Sequence, residues 1–164
     1  MRRALPLLPL LMLATPNAAN AVVQTSSARA VTLKPLSIVK LRDLEFGGLI
    51  PSGAAGTVVI DPTTDDRTVT GGVTEAGGTT QAAQFYTYGG PLQLVVVTRG
   101  PLPTLTRAGG GSMNVTALTL NGPTIRFINN AGLLDLRVGG TLAVNANQPD
   151  GVYTGNFNIT VDYY

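Results

Sequence analysis

Three carboxylates crowd into one short stretch, Asp61-Pro62-Thr63-Thr64-Asp65-Asp66, the densest group of chemistry-bearing side chains in the sequence. Oxygen ligands at that density suit a hard cation such as calcium. The spacing matches no calcium loop, however, and aspartate also favours turns because its side chain caps nearby N–H groups. The turn reading is the stronger of the two for Asp61, Asp65 and Asp66. Asp43 and Glu45 flank Leu44 as alternating outward positions of a strand, which reads as a solvated face.

Little other chemistry is on offer. The 164 residues include no histidine and no cysteine. That removes Ser-His-Asp triads, cysteine nucleophiles and His- or Cys-ligated metals together. Gly109-Gly110-Gly111-Ser112 lacks the lysine of a phosphate-binding loop and opens no helix, so it is a flexible tip. Asn114-Val115-Thr116 and Asn158-Ile159-Thr160 match the glycosylation triplet but fall inside predicted strands. Tyr86 and Tyr88 are the aromatic candidates for a ligand platform, and their period-two spacing with Gln84 fits sheet packing better. The inventory points to no catalytic residue, no cofactor and no metal, and the chain is expected not to be an enzyme.

The elements that position these residues are strands. No window of a dozen residues keeps apolar positions at helical spacing without an interrupting Gly or Pro. Alternating runs bounded by turn residues recur instead. They cover Val31–Leu41 (with Pro35 inside), Leu44–Phe46, Leu49–Ile50 stopping at Pro51, Gly56–Asp61, Arg67–Thr70 and Gln84–Tyr88. Leu92–Thr98, Met113–Leu120, Thr124–Ile128, Leu134–Val138, Thr141–Val144 and Val152–Tyr163 complete the series, while Gly71–Gly78 reads as a loop. Eight to ten short strands with turns every ten residues or so predict an all-β fold, a sandwich of two antiparallel sheets.

Residues 1–21 have the plan of a secretory signal peptide: Arg2-Arg3, an apolar Leu5–Leu13 stretch, then Ala19-Asn20-Ala21 for cleavage. The stretch is shorter than the roughly 20 apolar residues that cross a bilayer, and no later segment is a candidate, so no stable membrane span is expected. The whole chain has 11 basic and 9 acidic residues; losing Arg2 and Arg3 leaves nine of each. A neutral mature chain gives no charge argument for nucleic acid or for an anionic membrane. Without cysteine no disulfide can brace it, so stability rests on packing and strand pairing. Residues 22–30 are small and polar and read as a flexible N-terminal extension, ahead of a sandwich domain over 31–164.

The most informative stretch closes the chain. Tyr153, Phe157, Ile159, Val161 and Tyr163 fall on one face of a long strand with Gly155, and Thr154, Asn156, Asn158, Thr160 and Asp162 fall on the other. Burying such side chains is worth about 1.5–3 kcal/mol each, as an upper estimate. Gly151 stands fourteenth from the end and Tyr163 is penultimate.

On those residues the ending resembles subunits assembled by the bacterial chaperone–usher route, which share the alternation, the glycine and the penultimate aromatic. From residue 31 onward the chain also resembles the bacterial secreted domain-of-unknown-function family 4402, through Leu44-Glu45-Phe46-Gly47, Gly56-Thr57-Val58, Gly139–Val144 and Gly151–Phe157. The pilin and spore-coat-U-like resemblance implies an immunoglobulin-like sandwich lacking its last strand and completed by a donor strand. It implies an acceptor edge of Gly151, Tyr153, Phe157, Ile159, Val161 and Tyr163, and a donor from Val22–Leu33 in which only Val31 and Leu33 are bulky and alternate. The implied partners are further copies or homologous subunits, with a periplasmic chaperone and an usher in transit. The expected protein is therefore a structural subunit of a surface fibre or coat, exported through the periplasm to the cell surface. The rival expectation is a self-complete secreted β-sandwich that binds or adheres on its own.

Overall fold

Alternation of Val, Ile, Leu and Thr between Gly, Pro and Asn turns leaves the backbone one way to satisfy its polar groups, which is to pair as strands. The computed structural model describes residues 23–164, so the signal peptide expected over residues 1–21 lies outside the described residues, as does Val22. Leu33–Tyr164 form one compact unit. Of the other unit, which ends at Thr32, the described residues 23–32 carry neither helix nor strand.

Ten strands form in the larger unit. They are β1 (Ser37–Arg42), β2 (Leu49–Ile60), β3 (Arg67–Glu75), β4 (Ala83–Tyr88) and β5 (Leu94–Arg99). After them come β6 (Thr104–Thr106), β7 (Ser112–Leu120), β8 (Ile125–Phe127), β9 (Leu133–Val144) and β10 (Ile159–Tyr163). The larger sheet runs β1-β4-β9-β2-β3, with β7 on the other side of β9 and β6 beside β7; the smaller runs β10-β5-β8. Every ladder is antiparallel.

β9 organises the larger sheet. Leu133–Val138 pair with β4, Gly140–Val144 pair with β2, and β7 takes the opposite edge. Its inward side chains Leu136, Val138 and Leu142 are fully or almost fully buried. With Val58, Ile60, Met113, Val115 and Leu118 the last two build the main core. A second cluster of Val95, Ile128 and Leu134, flanked by Leu36, Val161 and Tyr163, joins the small sheet to the large one and makes the sandwich.

Several boundaries differ from the sequence reading, each for a local reason. Pro51 does not end its strand: β2 runs through it and bulges between Pro51 and Gly56. Gly71 and Gly72 are strand, not loop, because they pass so close to the bulge that a Cβ on Gly72 would lie 2.1 Å from the Ala54 carbonyl oxygen. Leu134–Val138 and Thr141–Val144 are one strand, since Gly139 lets β9 pass where a Cβ would stand 2.2 Å from the Ile60 carbonyl oxygen. β1 begins only at Ser37, beyond Pro35.

The expected Val152–Tyr163 strand is also shorter. Only Ile159–Tyr163 pair with β5, and Thr154 makes a single bridge to Thr106. β5 stops at Arg99, and the Gly100-Pro101-Leu102-Pro103 segment that follows contains two prolines with no N–H to extend the ladder.

Candidate functional site

β10 pairs with β5 alone and β1 with β4 alone, so each ends a sheet with one edge unpaired. Side chains of both strands line one cleft of about 480 Å³: Ile38 and Lys40 from β1, Ile159 and Thr160 from β10. Phe85 and Phe157 line this cleft and also a second, larger one of about 980 Å³. The larger cleft runs under the irregular segment Asp150–Phe157, over a floor that includes Met113, Val115, Leu142 and Val144 of the main core. The two clefts share Lys40, Phe85 and Phe157 and form a groove over the core, whose residues Met113, Val115, Leu142 and Val144 stay buried beneath it.

Of the alternating face of the last segment, Tyr153, Phe157 and Ile159 line the clefts, whereas Val161 and Tyr163 pack against the smaller core cluster. Tyr153, Phe157, Ile159, Val161 and Tyr163 are all half-buried, while Thr154, Asn156, Asn158, Thr160 and Asp162 are exposed. The alternation is therefore present, but its apolar face reaches only partial burial. Phe157 meets Phe85 edge to face at 6.5 Å between centroids. On β1, Ile38 shares its face with Thr87 and Phe85 across the ladder. Val39 and Leu41 are each 45% exposed and Ile38 is 42% exposed, so this edge strand shows apolar side chains on both faces.

Polar contacts fix both ends of the C-terminal segment. Tyr163 Oη donates to the Lys34 carbonyl and accepts the Gly90 N–H at 2.8 Å, which anchors the exit of β10. At the other end buried Gln148 donates to the Ser112 carbonyl at 3.1 Å and to Tyr153 Oη at 2.8 Å. Tyr153 Oη in turn donates to the Pro149 carbonyl at 2.7 Å. Gly151 adopts φ +136°, a conformation that L side chains rarely adopt, where the chain turns into the groove wall. Nothing in the alternation marked Gln148 as part of this arrangement; its burial depends on a loop packing against β7.

The expected donor residues lie apart from any ladder. Val31 and Leu33 are in no strand, 67% and 46% exposed.

The aspartate turn does other work. Asp61 Oδ1 accepts the N–H groups of Thr63 at 2.7 Å and Thr64 at 3.0 Å, which hold its carboxyl below the usual range. Asp65, at φ +67°, turns away from Asp61 to accept the Ala82 N–H at 2.7 Å and to pair with Arg137 and Arg42. Partial burial pushes the Asp65 carboxyl up, but the Ala82 N–H and the two guanidinium groups outweigh it and hold it low. Among the described residues no three His, Cys, Asp or Glu side chains gather as metal ligands. Tyr86 and Tyr88 meet edge to face at 6.4 Å on the outer face of the large sheet, opposite in sense to Thr87 and Phe85.

Fold and site define a class: an all-β sandwich of antiparallel sheets with a groove beside its last strand. Residues 36–163 match the family described as Domain of unknown function (DUF4402), and the chain belongs to that family. Neither a curated protein nor a solved structure matches it. Among the described residues no helix is long and apolar enough to cross a membrane.

Proposed function

We propose that this chain is a non-enzymatic structural subunit of a bacterial surface fibre, pilus-like, or of a surface coat, whose groove accepts a strand from a neighbouring subunit. The observation that carries the reading is the groove itself. Two unpaired strand edges flank it, half-buried apolar side chains line it, and core residues form its floor. A strand laid there gains main-chain hydrogen bonds from an edge and side-chain burial at every second position. An open apolar edge is otherwise an aggregation hazard. The N-terminal extension, with exposed Val31 and Leu33 outside any ladder, supplies a donor. Because donor and acceptor are different surfaces of one chain, the contact is head to tail and propagates. A periplasmic chaperone would cover the groove before an usher passes the subunit on to the cell surface.

Size-exclusion chromatography with light scattering tests this on residues 22–164, beside a version with residues 22–34 repeated after Tyr164 through a flexible linker. The reading expects the parent to polymerise or aggregate and the fused chain to be a stable monomer. A parent that is already a stable monomer, unchanged by the fusion, overturns strand exchange and leaves a self-complete binding module.

A further inference from the structure

We infer that entry of the donor strand is set in register by one ion pair between subunits, with Arg29 of the donor on Glu45 and Asp150 at the acceptor groove. The inference rests on the strand-acceptor reading and adds to it the residues that choose the register and the partner.

Arg29 is the only charged residue between Val23 and Leu33, and it is exposed. In an extended strand it shares a face with Val31 and Leu33, and successive same-face residues stand about 6.6 Å apart. A donor that sets Val31 and Leu33 over the apolar floor therefore turns Arg29 to the same side of the groove, one step beyond Val31.

The lining of the larger cleft carries an excess of acidic side chains. Asp43, Glu45 and Asp150 line it, with Lys40 the sole cation among the lining residues. Lys40 is already engaged by Asp43 at 2.7 Å. Arg107 reaches this end of the groove too, but it donates to the carbonyl of Asp150 and not to its carboxylate. Glu45 accepts only a Gln81 amide at 3.3 Å. Two carboxylates at the groove thus have no cationic partner among the described residues, and the incoming segment carries one cation. Opposite charges at a rim steer encounter and reject misaligned docking more than they add raw affinity. A slip of one residue turns Arg29 out of the groove together with Val31 and Leu33, so charge and apolar pattern select the same register.

The test follows assembly of the full chain, exported and purified from the periplasm, by light scattering at low and at high salt. Arg29→Glu is expected to slow assembly about tenfold at low salt, and much less at 0.5 M, where the roughly 10 Å screening length at 0.1 M has shortened. Mixing that variant as donor with Glu45→Lys/Asp150→Lys as acceptor is expected to restore the rate. Glu45→Gln/Asp150→Asn, which keeps the shape of the rim, is expected to weaken the Arg29 effect if the reversed acceptor fails to fold. An Arg29→Glu chain that assembles at the unaltered rate, or whose defect ignores the rim substitutions, overturns the register inference. Val31→Asp/Leu33→Asp separates the two levels. If it abolishes assembly while Arg29→Glu does not, strand exchange stands and the ion pair falls. If neither matters, both fall.

Discussion

The Tyr163 hydroxyl donates its hydrogen to the backbone carbonyl of Lys34, joining the penultimate residue of the chain to a segment 129 positions earlier. The same oxygen accepts the Gly90 N–H, so one side chain ties the end of β10 to the lead-in of β1 and to the turn after β4. This clasp holds the end of β10 against the residues that lead into β1. Leu36, packed beside Tyr163 in the smaller core cluster, fills the space next to it.

Tyr163→Phe keeps the ring and removes both bonds. The expected cost is about 1–3 kcal/mol, because the Lys34 carbonyl and the Gly90 N–H each lose a partner. Urea denaturation measures the loss, and hydrogen exchange at Gly90 is expected to accelerate. Unchanged protection at Gly90 would show that the hydroxyl contributes nothing there.

Asp65→Asn removes the charge that faces Arg42 and Arg137 while keeping an acceptor for the Ala82 N–H. A loss of about 1–3 kcal/mol at neutral pH is expected, the range for a charge-assisted hydrogen bond removed from a partly buried site. The pH dependence has a definite sign. The folded chain holds the Asp65 carboxyl below the usual aspartate range, so it stabilises the fold fully at and above that range. The contribution is lost as pH falls through the lowered folded value. Melting temperatures measured from pH 7 down to pH 2 are expected to show a shallower acid limb in Asp65→Asn than in the parent chain.

Gly139→Ala tests the passage of β9 past Ile60. With a Cβ 2.2 Å from a backbone oxygen, the strand or its neighbour has to shift, and a loss of about 3 kcal/mol or more is expected, large for a single substitution. Gly53→Ala is the control, since its nearest neighbour would be 3.9 Å away and its φ is not positive. Circular dichroism melts should separate the two clearly; equal melting temperatures would contradict the crowding at Gly139.

Phe157→Ala and Leu142→Ala separate the groove wall from the core. Leu142 is buried beneath the groove, and its truncation is expected to cost about 2–5 kcal/mol. Phe157 is only half-buried in the isolated subunit, so its truncation is expected to cost less there, about 1–2 kcal/mol from the smaller area removed. In the chain with the fused donor the order is expected to narrow, because the inserted strand completes the burial of Phe157. Urea midpoints of the four proteins decide it.

How far the sequence carried can be judged at particular residues. The alternation through Tyr153–Tyr163 named the apolar face of the last segment, since a two-residue period is a local property of the chain. It overestimated the strand, because a ladder needs a neighbour and the neighbour ends at Gly100. Gly71–Gly78 reads as a loop and Gly139-Gly140 as a gap between two runs, and both readings fail at these glycines for the opposite reason. Glycine in isolation signals a loop, yet these glycines let two backbones approach, a demand that comes from strands distant in sequence. Asp61 behaves as local turn chemistry predicts. Asp65 does not, because Arg137 and the Ala82 N–H reach it only after β4 and β9 have paired.

Composition and period by themselves determined an all-β chain without histidine or cysteine, and which side chains share a face. Those properties depend on residue types and on neighbours one or two positions away. The tertiary structure alone decided that β1 and β10 each keep an unpaired edge and that their side chains line one groove above the core. Which edges remain open depends on how distant strands choose partners, and that choice is settled by the packing of the whole sandwich.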